Sequence, residues 1–141
     1  DLIISSNSLI LGEKLIKLPK IACINRHSAL LPSLGGILPV FRAVQYEHKF
    51  TGASVHFVVK KIEAGNILAR KWIPIFKNDK MTTLYKACFR ASYEATIEGI
   101  AKLRSGEQNS IIDNEGLKHS YYSFPEDTDW KEFNKRDISF S

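Results

Sequence analysis

The sequence predicts an α/β fold: a mostly parallel sheet flanked by helices and extended by a β-hairpin. Three observations point there. Apolar runs at residues 2–5 and 21–24 bracket a stretch whose leucines recur at helical spacing, which makes a β-α-β unit and therefore a parallel pair. Residues 52–59 alternate between apolar and polar, and residues 67–74 return as their partner. Residues 82–105 carry one long apolar stripe at the helical period.

Taken in order, residues 2–5 read as a strand that runs into the polar loop "SSNS". Leu11, Leu15 and Leu18 then predict a helix closed by Pro19. Residues 21–24 form the second strand, and the polar cluster Asn25-Arg26-His27-Ser28 reads as the loop at its end. Two glycines and a proline give a flexible turn before Val40, Phe41 and Val44, which mark a helix of about two turns. In the next strand Ala53, Val55, Phe57 and Val59 share one face, with Ser54, His56, Val58 and Lys60 on the other. "EAGN" supplies the turn to "ILARKWIPI". In the long helix Thr82 or Thr83 is the expected cap, and Leu84, Cys88, Ala91 and Ala95 the buried row. Phe89, Tyr93, Ile97 and Ile100 widen that row, and Gly106 stops the helix. Beyond about residue 107 periodicity is lost, except where Asp127 or Thr128 caps a short turn carrying Trp130 and Phe133.

Composition narrows the function classes. A chain of 141 residues, 44% hydrophobic and 25% charged, is one globular domain. No apolar run approaches the ~18 residues of a membrane span, and the expected setting is cytoplasmic, with no membrane partner. Cys23 and Cys88 lie in apolar surroundings and read as buried thiols in a reducing compartment. His27, His48, His56 and His119 lack metal-ligand spacing, so no metal is expected. The net charge of +5 favours anionic partners, but the charge is scattered rather than blocked. Nucleic acid is therefore not indicated.

Chemistry concentrates where a strand ends in hydrogen-bonding groups. Asn25-Arg26-His27 is followed by Leu30-Leu31-Pro32, then by Thr51-Gly52 and Val55-His56-Phe57-Val58, then by a carboxylate, Glu63, with Ala64-Gly65. In this order the motifs resemble the 10-formyltetrahydrofolate-dependent formyltransferases. That family includes enzymes acting on glycinamide ribonucleotide, methionyl-tRNA and amino-sugars, and a related hydrolase. The resemblance runs from about residue 2 to Gly106 and implies a Rossmann-like formyltransferase fold whose N-terminal strands are missing here. Residues 1–106 are then the C-terminal part of the catalytic region, and 107–141 a polar C-terminal extension with no assigned role.

The resemblance implies formyl transfer from 10-formyltetrahydrofolate, as donor co-substrate, to a small amine. Asn25 and a protonated His27 would donate to the formyl oxygen, and Glu63, where the family has Asp, would accept the amine's proton. It also implies folate contacts at Ser8, Leu9, Ile10 and Leu11 and at Val59, Lys60, Lys61 and Ile62. His56 and Ser54 share a face that flanks this centre. The family's glycine-rich acceptor loop is absent, and Ser92 stands where the purine enzyme places a glutamate. The purine acceptor is therefore disfavoured, and the missing strands are expected from the rest of a longer chain or from a partner. Two rival readings keep the same residues: hydrolysis of the formyl-folate, and a non-catalytic folate-binding remnant.

Overall fold

The computed structural model describes residues 1–6, 10–107 and 111–141. Its elements are β1 (Leu2–Ser5), α1 (Glu13–Ile16), β2 (Ala22–His27), β3 (Gly35–Gly36), α2 (Pro39–Gln45), β4 (Phe50–Phe57), β5 (Ile67–Pro74), α3 (Met81–Ser105), β6 (Tyr121–Tyr122) and α4 (Asp127–Phe133). The main sheet has the order β1-β2-β4-β5. The α/β class holds, with parallel pairing confined in this sheet to β1 and β2; β4 and β5 add antiparallel. The hairpin forms half the sheet instead of an appendage to it.

α3 lies across β4 and β5 because its inward row is small. Ala91, Ser92, Ala95 and Gly99 are all buried, which lets the helix backbone approach the strands closely. A Cβ on Gly99 would stand 3.3 Å from Leu68 Cβ and 3.4 Å from Val55 Cγ1. The neighbouring row was expected in the core, but Phe89, Tyr93 and Ile97 face solvent, and only Ile100 packs inward. Adjacent rows sit about 100° apart on a helix, and the small-residue row is the one that admits the sheet. Gly106 ends the helix at φ 71°, as its place in the sequence suggests.

Two apolar clusters form the centre. Ile24, Val55, Leu68, Ala69 and Ala95 join sheet to α3. Val40, Phe41, Val44, Met81, Leu84, Cys88 and Phe133 join α2, α3 and α4. Phe133 stacks on Phe41 at 4.7 Å between ring centroids, and Arg42 pairs with Asp129 at 2.6 Å. Thus α4, in the polar extension, completes the second cluster.

Several boundaries differ from expectation. α1 is a single turn, with Leu15 and Leu18 exposed; a helix so short needs tertiary packing to persist beyond one turn. α3 takes Lys80 as its N-cap, and Met81 N–H donates to the Ser139 carbonyl at 2.8 Å, so neither threonine caps it. α4 starts at Asp127 with Glu126 as N-cap, Asp129 Oδ2 accepting the Glu126 N–H at 2.9 Å. Cys23 and Cys88 are both buried and unpaired. Among the described residues no helix is long and apolar enough to cross a membrane.

Candidate active site

β2 runs on to His27, so the polar cluster belongs to a strand instead of a loop. The strand period then sorts it. Asn25 and His27 share one face, while Arg26 points to the other, donating to Ser92 Oγ at 2.6 Å and Ser6 Oγ at 3.1 Å. Ser92 is consumed by that bond and fully buried. The register with β4 sets Asn25 opposite His56 and His27 opposite Ser54. Ser54 Oγ donates to the Ala29 carbonyl at 2.7 Å and accepts the Leu31 N–H at 3.0 Å, which fixes the loop after β2.

Glu63 arrives from the turn between β4 and β5 with φ 55°, a left-handed conformation costly for a residue with a Cβ. Its Oε1 lies 3.3 Å from His27 Nδ1, and its Oε2 accepts the Gly36 N–H at 2.9 Å. Burial dominates both titrations. Glu63 is pushed up to about 7, against the opposing pull of the Gly36 N–H and the nearby His119. His27 is pushed down to about 4 by burial, only partly opposed by its contact with the Leu34 carbonyl. The imidazole expected to be protonated is therefore neutral at pH 7. Its Nε2 lies 3.4 Å from the Leu34 carbonyl.

A cleft of about 160 Å³ opens beside these groups, lined by Ser5, Ile10, Leu11, Ile16, Asn25, Ile37, His56, Val58, Val59, Lys60, Ile62, Glu63 and Tyr121. Asn25 and Glu63 share it; His27 stands behind Glu63, outside the wall. Of the residues expected to hold folate, Ile10, Leu11, Val59, Lys60 and Ile62 line the cleft and Lys61 does not. Ser8 and Leu9 lie outside the described residues. Burial pushes His56 down to about 4, so its ring is neutral at pH 7. Its Nδ1–H donates to the Phe57 carbonyl at 2.8 Å, which leaves Nε2 to accept from Asn25 Nδ2 at 3.4 Å. Asn25 Oδ1 is buried with no partner among the described residues. Such an acceptor takes an N–H or O–H from an ordered water or a ligand. Tyr121 and Ile37 went unforeseen, since nothing in their sequence neighbourhood ties them to the motifs. No group of three or more metal-binding side chains occurs among the described residues.

Gly35 is part of the geometry. A Cβ there would collide with Glu63 Oε2 and stand 3.0 Å from the Ser120 carbonyl. Gly35→Ala therefore lowers stability by about 1–3 kcal/mol, read as a lower urea midpoint at unchanged slope.

The formyl transferase family model matches residues 1–100. Methionyl-tRNA formyltransferases of Thermotoga neapolitana and Enterococcus faecalis are each 38% identical to this chain, over 106 and 101 residues. These alignments take in 75% and 72% of this chain but 34% and 32% of theirs, so it spans about a third of their length. Among solved structures, the formyltransferase PseJ from Anoxybacillus kamchatkensis, in complex with UDP-4,6-dideoxy-4-formamido-L-AltNAc and tetrahydrofolate, aligns with a TM-score of 0.74 at 21% identity. That alignment covers 88% of this chain and 65% of PseJ. Phosphoribosylglycinamide formyltransferase from Bacillus halodurans gives 0.67 at 23% identity, over 77% of this chain and 56% of its own. These two likenesses concern the fold. The family match takes in both the Asn25–His27 strand and Glu63, and on it the chain belongs to the formyl transferase family.

Proposed function

We propose that this chain carries the catalytic segment of an enzyme that moves a formyl group from 10-formyltetrahydrofolate to an amine. One observation carries the reading: a buried amide oxygen without a partner among the described residues, Asn25 Oδ1, shares a cleft with a carboxylate pushed up to about 7, Glu63. An attacking amine suits both groups. Its N–H satisfies Asn25 Oδ1, and its proton finds in Glu63 an acceptor poised near neutral pH. The Nδ2 hydrogen that Asn25 does not direct at His56 serves the formyl oxygen as charge builds there. His27 backs Glu63, and the proton passes on from the carboxyl to the departing folate nitrogen as the formyl–nitrogen bond breaks.

The donor fits the walls. Ile10, Leu11, Ile37, Val58, Val59 and Ile62 form an apolar slot for a flat heterocycle, and Lys60 suits an anionic tail. About 160 Å³ is less than the ~300 Å³ at which drug-sized pockets begin, so the slot takes the ring system and the rest lies outside. Tetrahydrofolate in the PseJ complex supports a folate donor. The acceptors of the relatives, tRNA-borne and sugar-borne, support an amine without choosing one.

The test is formyl loss from 10-formyltetrahydrofolate, followed by absorbance in the full-length protein with and without a panel of amines. Amine-dependent turnover supports transfer, and formate release without amine makes the enzyme a hydrolase on the same residues. Folate binding with no turnover, unchanged by Glu63→Asp, overturns the catalytic reading. The pH profile gives a second check. Protonated Glu63 accepts nothing, so kcat rises about tenfold per unit up to about pH 7 and levels above it. Glu63→Gln removes that limb.

A further inference from the structure

Residues 111–122 lie beyond the 1–100 matched by the family model, yet they hold Glu63 from two sides. The first hold is on its backbone. Asn114, fully buried, donates Nδ2 to the Glu63 carbonyl at 2.9 Å and to the Gly65 carbonyl at 3.1 Å. Its own N–H donates to Asn66 Oδ1 at 3.1 Å, and its carbonyl lies 2.7 Å from His119 Nε2. One side chain thus spans the turn that keeps Glu63 in its left-handed conformation.

The second hold is on the carboxylate. Ser120 Oγ accepts the Leu34 N–H at 2.8 Å, its carbonyl accepts the Gly35 N–H at 2.9 Å, and its N–H donates to the Pro32 carbonyl at 3.1 Å. Ile37 N–H donates to the Tyr122 carbonyl at 2.9 Å. Alternate amides of an extended strand point to opposite sides. With the Gly35 amide held by Ser120 and that of Ile37 by Tyr122, the Gly36 N–H between them is turned toward Glu63 Oε2, which it meets at 2.9 Å. The β3–β6 pairing therefore aims the amide that fixes the carboxylate. Neither Asn114 nor Ser120 lines the cleft.

We propose that Asn114 and Ser120 are positioning residues of the site, holding the Glu63 backbone and the Gly36 amide so that the carboxylate meets His27 and the cleft together. The role in turnover rests on the reading of Glu63 as proton acceptor; the positioning itself does not. Facing Glu63 are His27 from β2, the Gly36 amide from β3 and His119 from this segment.

The experiment uses the full-length protein and two readouts: steady-state kinetics, and titration of the Glu63 carboxyl by carbon NMR. Ser120→Ala keeps the backbone bonds to Gly35 and Pro32 but leaves the Leu34 N–H beside them unpartnered, and should lower kcat roughly 10–100-fold with the donor KM unchanged. It should also raise the Glu63 midpoint, because a well-aimed Gly36 N–H favours the charged form. Ser120→Thr keeps the hydroxyl and should restore both values. Asn114→Ala should act in the same direction, and if it does not fold, the Ser120 pair decides. A folded Ser120→Ala with wild-type kcat and an unmoved Glu63 midpoint overturns the proposal, as does a change confined to KM. Should the wild type prove inactive, the functional reading fails while the NMR midpoint still tests the positioning.

Discussion

On the proposed reading, replacing Asn25 with alanine should lower kcat by roughly 10²–10³, about 3–4 kcal/mol of transition-state stabilisation. The β2–β4 register sets the amide opposite His56. The His56 tautomer decides which end of the amide goes where: Nε2 takes one Nδ2 hydrogen, leaving Oδ1 and the other hydrogen uncommitted to it. Truncation removes both functions at once. Asn25→Asp separates them, since it keeps an acceptor, loses the donor and adds a negative charge to the cleft that holds Glu63; its loss should match that of alanine. The measurement is single-turnover transfer at saturating donor, with the melting temperature as control. Among the described residues the Asn25 side chain makes one hydrogen bond, a long one at 3.4 Å, so the fold should survive. A change in rate below about threefold would falsify the assignment.

Phe41→Ala should cost about 3–5 kcal/mol, among the larger penalties a single truncation produces. The ring is fully buried, stacked on Phe133 at 4.7 Å and tilted against Trp130 at 4.6 Å. Its removal both empties the centre of one apolar cluster and strips α4 of the surface it covers. For a chain of this size the expected fall in melting temperature is about 10–15 °C, followed by circular dichroism. Tyr93→Ala provides the contrast. That residue looks equally aromatic and equally helical in the sequence, yet it is 66% exposed, and its loss should change stability by about 0.5 kcal/mol or less. Equal losses at the two positions would contradict the orientation of α3.

The contrast also shows what the sequence could disclose. The hairpin is legible because alternation from Ala53 to Val59 has a period that only a strand satisfies, and the row Leu84, Cys88, Ala91, Ala95 is likewise unambiguous. The row through Phe89 and Tyr93 is not, because hydrophobicity alone does not tell which of two adjacent rows meets the sheet; the small side chains at Ser92 and Gly99 decide it. Asn25 and Glu63 were legible as candidates through the ordered motifs, and the structure sets both in one cleft. The charge on His27 was not, since it depends on burial that a motif does not record. Asn114 and Ser120 look like ordinary loop residues. Their contacts depend on a pairing between Gly35–Gly36 and Tyr121–Tyr122, two-residue strands too short to leave a periodic trace.

That pairing has a consequence for the order in which the molecule assembles. Leu34 and Ser120 meet across 86 residues of chain, whereas β4 and β5 are joined by a short turn. Local pairings close first, and distant ones wait on a larger loss of chain entropy. Domains emerge from the ribosome N-terminus first, at about 5–20 residues per second. A nascent chain that stops short of residue 120 can therefore build the hairpin that carries Glu63 before anything exists to aim the Gly36 amide at it. The aimed carboxylate arrives last, after the hairpin that displays it.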